Sequence, residues 1–255
     1  MQKLFSLEGK VAIVTGGNGG IGKGIGRGFA SMGAKLAIVA RNEAKTAEAV
    51  RNIKDEFGAD VIGLKVDVQQ EEEIQTVVAQ VLDTFGRIDI LVNNAGTNIT
   101  KMPQDYLVPE WDEVSNTNLR SAFLCSKVVY QPMKKAGGGK IINIGSMTSI
   151  FGAAKFLPYA VSKGGIVQLT RSLAIAWAPD NIQVNAILPG WINTDLTIQS
   201  RKEIPGLSEA VLARTPLGRW GEPEDLSGSA IFLVSHASDF VTGAVLAVDG
   251  GYSSM

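Results

Sequence analysis

The stretch Val11-Ala12-Ile13-Val14-Thr15-Gly16-Gly17-Asn18-Gly19-Gly20-Ile21-Gly22 passes from an apolar run, through a cluster of glycines, into a helical pattern over Lys23 to Ser31. Glycines at such a junction let the backbone swing sharply from strand to helix. They also keep side chains away from the helix N-terminus, where unpaired N–H groups and the helix dipole favour an anion. Gly17, Gly19 and Gly22 satisfy a Gly-x-Gly-x-x-Gly spacing, but so dense a cluster satisfies several registers by chance. Its position, after a strand and before a helix, predicts a phosphate-binding turn, with a plain strand-to-helix turn as the alternative. Gly24, Gly26 and Gly28 continue into the helix, where each is unfavourable by about 1 kcal/mol relative to alanine. Close helix packing is the one account the sequence offers of them.

Further along the chain, Lys35 to Ala40, Val61 to Val66, Ile88 to Val92, Lys140 to Ile144 and Gln183 to Leu188 repeat the first apolar run. They are near-continuously apolar and not alternating, which is how parallel strands covered by helices on both faces read. Between them lie helical spacings such as Glu71 to Phe85, where Ile74, Val77, Val78, Val81, Leu82 and Phe85 recur at three and four. Ala244 to Val248 supplies a last strand, and Pro223 opens the helix before it. The pattern predicts one α/β domain over residues 1–255, a Rossmann-type doubly wound parallel sheet flanked by helices. Nothing resembling a Pro, Gly or Ser linker divides it. Gly137, Gly138 and Gly139 read as a tight helix-to-strand connection, and Glu71, Glu72 and Glu73 as a solvated first helical turn.

Lysines and arginines number 24 against 25 aspartates and glutamates, a formal net charge of −1. No basic field draws this chain onto nucleic acid or an anionic membrane. Hydrophobic residues at 45% and charged ones at 19% exclude a disordered chain, because apolar burial can offset the entropy of ordering. One cysteine, Cys125, and one histidine, His236, can form neither an intrachain disulfide nor a Cys/His zinc site. Neither falls in a motif, so both read as structural or surface residues. No metal is expected, and a reducing cytoplasm is the expected location. No apolar run reaches the roughly 18 residues of a membrane span, and the opening residues lack the apolar stretch of a secretory signal.

Where a dinucleotide lies on a glycine turn, the end of the second strand reads its adenosine ribose. An acid there bonds the 2′-hydroxyl, and a base suits a 2′-phosphate. The second strand ends Ala40-Arg41-Asn42, with Ala40 where the acid would stand and Arg41 offering a planar fork of donors. NADP(H) is therefore expected over NAD(H); a merely surface arginine is the alternative. Asp67, at the end of the third strand with Val68 beside it, suits the adenine edge, and a helix-capping role serves equally.

Asn93-Asn94-Ala95-Gly96 closes the fourth strand, Ser146 follows the fifth, and Tyr159 and Lys163 are four apart, a spacing that shares one helix face. Tyrosine loses its proton near pH 10. A cation beside it stabilises the phenolate, and the pair becomes a usable acid and base.

This ordered set resembles the short-chain dehydrogenase/reductase family over about residues 7 to 252. The resemblance rests on Thr15-Gly16-x-x-x-Gly20-Ile21-Gly22, Asn93-Asn94-Ala95-Gly96, Asn118, Ser146, Tyr159-x-x-x-Lys163 and Pro189-Gly190. It implies that Tyr159 exchanges the proton with the substrate oxygen. Ser146 would orient the carbonyl, Asn118 would hold a relay water, and Lys163 would bind the nicotinamide ribose and lower the tyrosine pKa. It implies a cofactor site formed by Gly16, Asn18, Gly20, Ile21, Gly22, Arg41, Asp67, Val68, Asn94, Ala95, Gly96, Tyr159, Lys163, Pro189, Gly190, Ile192 and Thr194, and a homotetramer.

Substrate is expected among residues 97–105, 147–158 and 191–220, which follow carboxyl ends of strands. The last has the length and irregularity of a lid. Asn98, Thr148, Lys155, Asn193 and Thr194 are the polar candidates. Thr215 to Leu226 resembles members acting on sugars and sugar acids, and equally 3-oxoacyl-[acyl-carrier-protein] reductases. The expected activity is hydride transfer between a nicotinamide cofactor and a secondary alcohol or ketone, foremost a gluconate-type sugar acid. The carrier-protein reductase is the alternative. A dinucleotide-binding sensor without turnover is the rival class, and the complete catalytic set argues against it.

Overall fold

In the computed structural model, which describes residues 2–255, strands and helices alternate along the chain. The order is α1 (Gln2–Phe5), β1 (Val11–Thr15), α2 (Gly20–Ser31), β2 (Lys35–Ala40), α3 (Glu43–Phe57), β3 (Val61–Lys65), α4 (Glu71–Phe85), β4 (Ile90–Asn93), α5 (Val108–Ser115) and α6 (Ser121–Lys135). Then follow β5 (Gly139–Ile144), α7 (Leu157–Trp177), β6 (Ile182–Pro189), α8 (Asp195–Glu203), α9 (Leu207–Arg214), α10 (Ser227–Val234) and β7 (Val245–Val248). The strands form one sheet, ordered β3-β2-β1-β4-β5-β6-β7, and every neighbouring pair is parallel. This is the doubly wound sheet expected from the apolar runs. Winding reverses between β1 and β4, so the chain leaves these two carboxyl ends in opposite directions and a crevice opens between them.

All five residues of β1 are buried, and their alternation feeds two cores. Ala12 and Val14 pack with Ile25 and Phe29 of α2 and Leu233 of α10. Val11 and Ile13 pack with Val78 and Val81 of α4 and Val129 of α6. Phe29 is fully buried, and its truncation to alanine would cost about 3–5 kcal/mol. Helix ends follow local chemistry: Asn42 caps α3 by accepting from Lys45 N at 2.9 Å, and α4 stops at Gly86, whose φ is +78°, as glycine permits.

The helix glycines have a packing reason. A Cβ on Gly24 would stand 2.5 Å from Pro223 O, and one on Gly28 would stand 2.8 Å from Ser227 Cβ. Ser227 Oγ donates to Gly24 O at 2.9 Å, so α2 lies directly against the turn and helix near residue 227. Residues 191–220 are more regular than their sequence suggests: they carry α8 and α9, each with one buried residue, Ser200 and Val211. Cys125 is buried and its thiol pushed up to about 12, which makes it an inert core group. His236 is exposed and pairs with Asp239 at 3.1 Å. Among the described residues no helix is long and apolar enough to cross a membrane.

Candidate active site

A cleft of about 400 Å³ follows the carboxyl ends of β2, β1, β4, β5 and β6. Its walls bring together every sequence-predicted cofactor and catalytic residue except Gly22 and Asn118, which stand behind them. The floor is tied by short side chains. Thr15 Oγ1 accepts from Asn94 N at 2.9 Å and Ala95 N at 3.0 Å, while Asn94 Nδ2 donates to Thr15 O at 2.9 Å. Gly22 completes this stitch, because a Cβ there would stand 2.6 Å from Gly16 O.

Ser146 caps a 3₁₀ turn, Met147–Ser149, after β5, and its hydroxyl accepts from Thr148 N at 3.2 Å. Tyr159 and Lys163 lie in the first two turns of α7. Lys163 is buried and donates to Ile144 O at 2.7 Å; burial lowers its ammonium to about 8. Its Nζ lies 5.6 Å from the Tyr159 ring centroid. Burial pushes the Tyr159 phenol above its ordinary range, and a hydrogen bond with Ser146 opposes that rise. In this geometry desolvation therefore outweighs the lowering expected for this phenol.

Asn118 sits in a π-type turn, Asn116–Arg120, between α5 and α6, an insertion frequent at functional sites. Its side chain is fully engaged: Oδ1 accepts from Thr97 N at 2.8 Å, and Nδ2 donates to Thr97 O at 3.0 Å and Ser162 Oγ at 3.1 Å. The amide thus holds the loop after β4 to α7. Asp67 lines the cleft and closes its own turn by accepting from Gln69 N at 3.1 Å. The N-cap of α4 is Gln70, so Asp67 does not cap that helix.

The donor set suits a nicotinamide dinucleotide. Gly19, the N-cap of α2, provides no capping side chain, and the first turn carries no acid, leaving N–H groups for a pyrophosphate. Gly20 has φ +48°, and a Cβ there would press on Thr194 Cγ2 at 3.0 Å. Lys163 makes one protein hydrogen bond and has donors left for vicinal ribose hydroxyls. Sequence reasoning missed Lys45, Thr117 and Asp195, which also line the cleft. Nothing in their local sequence distinguishes them, since they meet only through the fold.

On the substrate side, Asn98 Oδ1 and Thr148 Oγ1 are buried polar atoms without a hydrogen-bond partner. Asn193 is engaged instead, donating to Glu222 Oε1 at 2.6 Å and accepting from Arg201 at 2.8 Å. Lys155 is exposed. Trp191 meets Trp220 edge-on, with centroids 5.5 Å apart, and the Arg201 guanidinium lies 4.2 Å over the Trp220 ring.

A family model described as enoyl-(acyl carrier protein) reductase matches residues 16–253. With this sheet and this Ser–Tyr–Lys arrangement, the chain belongs to the short-chain dehydrogenase/reductase family of NAD(P)-dependent oxidoreductases. It is similar to the 2-dehydro-3-deoxy-D-gluconate 5-dehydrogenase of Pseudoalteromonas atlantica, 41% identical over 252 residues and 99% of both chains. The NAD-dependent glycerol dehydrogenase of Listeria innocua is 36% identical over 99% of this chain and 97% of its own. A crystal structure of a gluconate 5-dehydrogenase from Burkholderia cenocepacia, in complex with NADP and tartrate, matches with a TM-score of 0.94 at 37% identity. It covers 100% of this chain and 99% of that one.

Proposed function

We propose that the protein interconverts a secondary alcohol and a ketone on a gluconate-type sugar acid, with NADP(H) preferred over NAD(H). The observation that carries the reaction is the meeting of Ser146, Tyr159 and Lys163 on one wall of the cleft. When bound, the nicotinamide supplies or accepts the hydride. In reduction the Tyr159 phenol gives its proton to the substrate oxygen, and Ser146 donates a hydrogen bond to the same oxygen. In oxidation the phenolate takes the proton back. Lys163 holds the ribose hydroxyls, and Asn118 positions the loop at Thr97 against α7. Burial favours the neutral phenol, so reduction is supported at neutral pH and oxidation gains as pH rises.

Full-length relatives named for sugar acids favour this substrate class over a carrier-bound acyl chain. Ala40 presents no carboxylate to repel a 2′-phosphate, and Arg41, its side chain 64% exposed beside the cleft, supports NADP(H). Residues 191–220 act as a substrate lid on the single domain. The exposed Phe123, Val161 and Ile175 on α6 and α7, with Leu246 on edge strand β7, support a homotetramer. A lone, inert cysteine supports a cytoplasmic enzyme. A panel of aldonates, keto-aldonates, polyols and carrier-bound 3-oxoacyl groups, followed by nicotinamide absorbance with both cofactors, tests the reading. Turnover is expected for the sugar acids with NADP(H). Efficient turnover of carrier-bound groups alone would overturn it.

A further inference from the structure

Lys45 Nζ reaches across the mouth of the cleft to Asp195 Oδ2 at 2.6 Å. The partners come from opposite sides: Lys45 lies in the first turn of α3, four residues after Arg41, and Asp195 is the first residue of α8. The same ammonium stands 3.0 Å from where a Cβ on Gly19 would be, beside the uncapped end of α2. Asn18 fixes this corner, its amide donating to Asn42 O at 3.4 Å and Thr46 Oγ1 at 3.1 Å. A lysine from α3 thus occupies the space next to the glycine turn that residue 19 leaves open.

We propose that Lys45 is a second reader of the cofactor's 2′-phosphate, beside Arg41, and that Asp195 is the counter-ion it gives up when that phosphate binds. The inference rests on the NADP(H) reading above. Both cations at this end of the cleft are held by carboxylates, Arg41 Nη1 lying 4.0 Å from Glu113 Oε1. The Lys45 and Asp195 side chains are 45% and 83% exposed, and exposed pairs of this kind are weak. A phosphate, with nearly two negative charges and three acceptor oxygens, competes well for such a lysine. Asp195 keeps a favourable place after release, because a carboxylate at the first turn of α8 complements the helix dipole. NAD(H), without the phosphate, leaves Lys45 on Asp195 and the start of α8 tied to α3. The first turn of the lid therefore responds to which cofactor is present.

Calorimetric titration of 2′,5′-ADP, 5′-AMP, NADP⁺ and NAD⁺ into the unmodified protein, Lys45→Gln and Asp195→Asn tests this without turnover. The unmodified protein should prefer 2′,5′-ADP over 5′-AMP. Lys45→Gln should weaken the two 2′-phosphorylated ligands about tenfold and the other two less than about twofold. Asp195→Asn should tighten the 2′-phosphorylated ligands about two- to fivefold by removing the competing carboxylate. Equal weakening of NAD⁺ and NADP⁺ in Lys45→Gln would make Lys45 a pyrophosphate ligand and overturn the proposal. Weaker NADP⁺ binding in Asp195→Asn would make the ion pair a brace that the cofactor needs, which also overturns it. If the unmodified protein does not distinguish 2′,5′-ADP from 5′-AMP, the NADP(H) reading itself falls. If that preference persists undiminished in Lys45→Gln, the Lys45 proposal alone falls, whereas a preference reduced about tenfold is the share left to Arg41.

Discussion

Along the floor of the cleft, from Thr15 to Ala95, main chain is tied to main chain or to a short side chain. Residues 191–220 share main-chain bonds near their ends, Asn193 N donating to Gly221 O at 2.8 Å and Leu217 N to Gly250 O at 3.1 Å, and rely besides on long side chains: Arg201 to Asn193 and Trp220, Arg219 to Asp225 at 2.6 Å, and Lys45 to Asp195. The floor is buried at Thr15 and half-buried at Asn94 and Ala95, and its main-chain bonds and close packing leave its geometry little tolerance. Residues 191–220 are largely exposed, and their side-chain ties can be exchanged one at a time for small energies. On the proposed reading, the difference separates what the enzyme must do from what it acts upon: hydride and proton chemistry need the rigid part, and substrate choice can be rewritten in the loose one.

Substitutions that touch only one region test this division. Tyr159→Phe removes the proton donor and keeps the ring, so kcat/KM should fall by about 10²–10⁴-fold while cofactor affinity stays unchanged by calorimetry. Activity within a factor of about three would show that the proton comes from elsewhere. Lys163→Met addresses stability on the same buried wall of α7. Folding lowers this lysine to about 8 from an unfolded value near 10.4, so the unfolded chain binds more protons between those values. The unmodified protein should therefore gain stability as pH rises from about 8 towards 10.4, by on the order of 3 kcal/mol, and the methionine variant should not. Urea unfolding of both proteins at pH 7 and pH 10 measures the difference.

At the boundary of the two regions, Ala40→Asp with Arg41→Ala should reverse cofactor preference, changing the NADP/NAD ratio of kcat/KM by about a hundredfold, near tenfold per charge change. An unchanged ratio would place the discrimination elsewhere on the rim. The smallest effect belongs to the substrate side. Lys155→Ala should raise KM for aldonates about threefold, as expected of an exposed charge, and leave neutral ketones unaffected. Equal changes for both would show that Lys155 does not hold the carboxylate of the sugar acid.

The floor was also the more legible part of the sequence. Strands buried on both faces must be apolar throughout, so β2 falls at Lys35–Ala40 as its run suggests and α4 fills Glu71–Phe85. At β4 the ladder starts at Ile90 and not Ile88. Asp89 is engaged just before it, accepting from Val11 N at 3.0 Å. The glycine turn, the Asn-Asn-Ala-Gly turn and the Tyr-Lys pair converge on one cleft because each ends or follows a strand. What stayed hidden depends on distant partners. Helices α8 and α9 bury one residue each and have no apolar stripe to show a helical period. The π turn around Asn118 leaves no mark in composition, and Lys45 and Asp195 are 150 residues apart. Asn193 looked available to substrate because nothing nearby foretells Glu222 and Arg201.

The seat of α2 against Pro223 and Ser227 also governs how the chain is made. Ser227 Oγ and Gly24 O, now 2.9 Å apart, are separated by 203 residues, so α2 emerges from the ribosome long before its covering helix. At about 5–20 residues per second, that interval is roughly 10–40 s. Throughout it, the side of α2 that α10 will cover has no α10 to meet, and the nascent chain must be shielded or stay loosely collapsed. The hazard is set by the order of translation and not by the weakness of either helix, and a release late in synthesis, after residue 234, is when the first core can close.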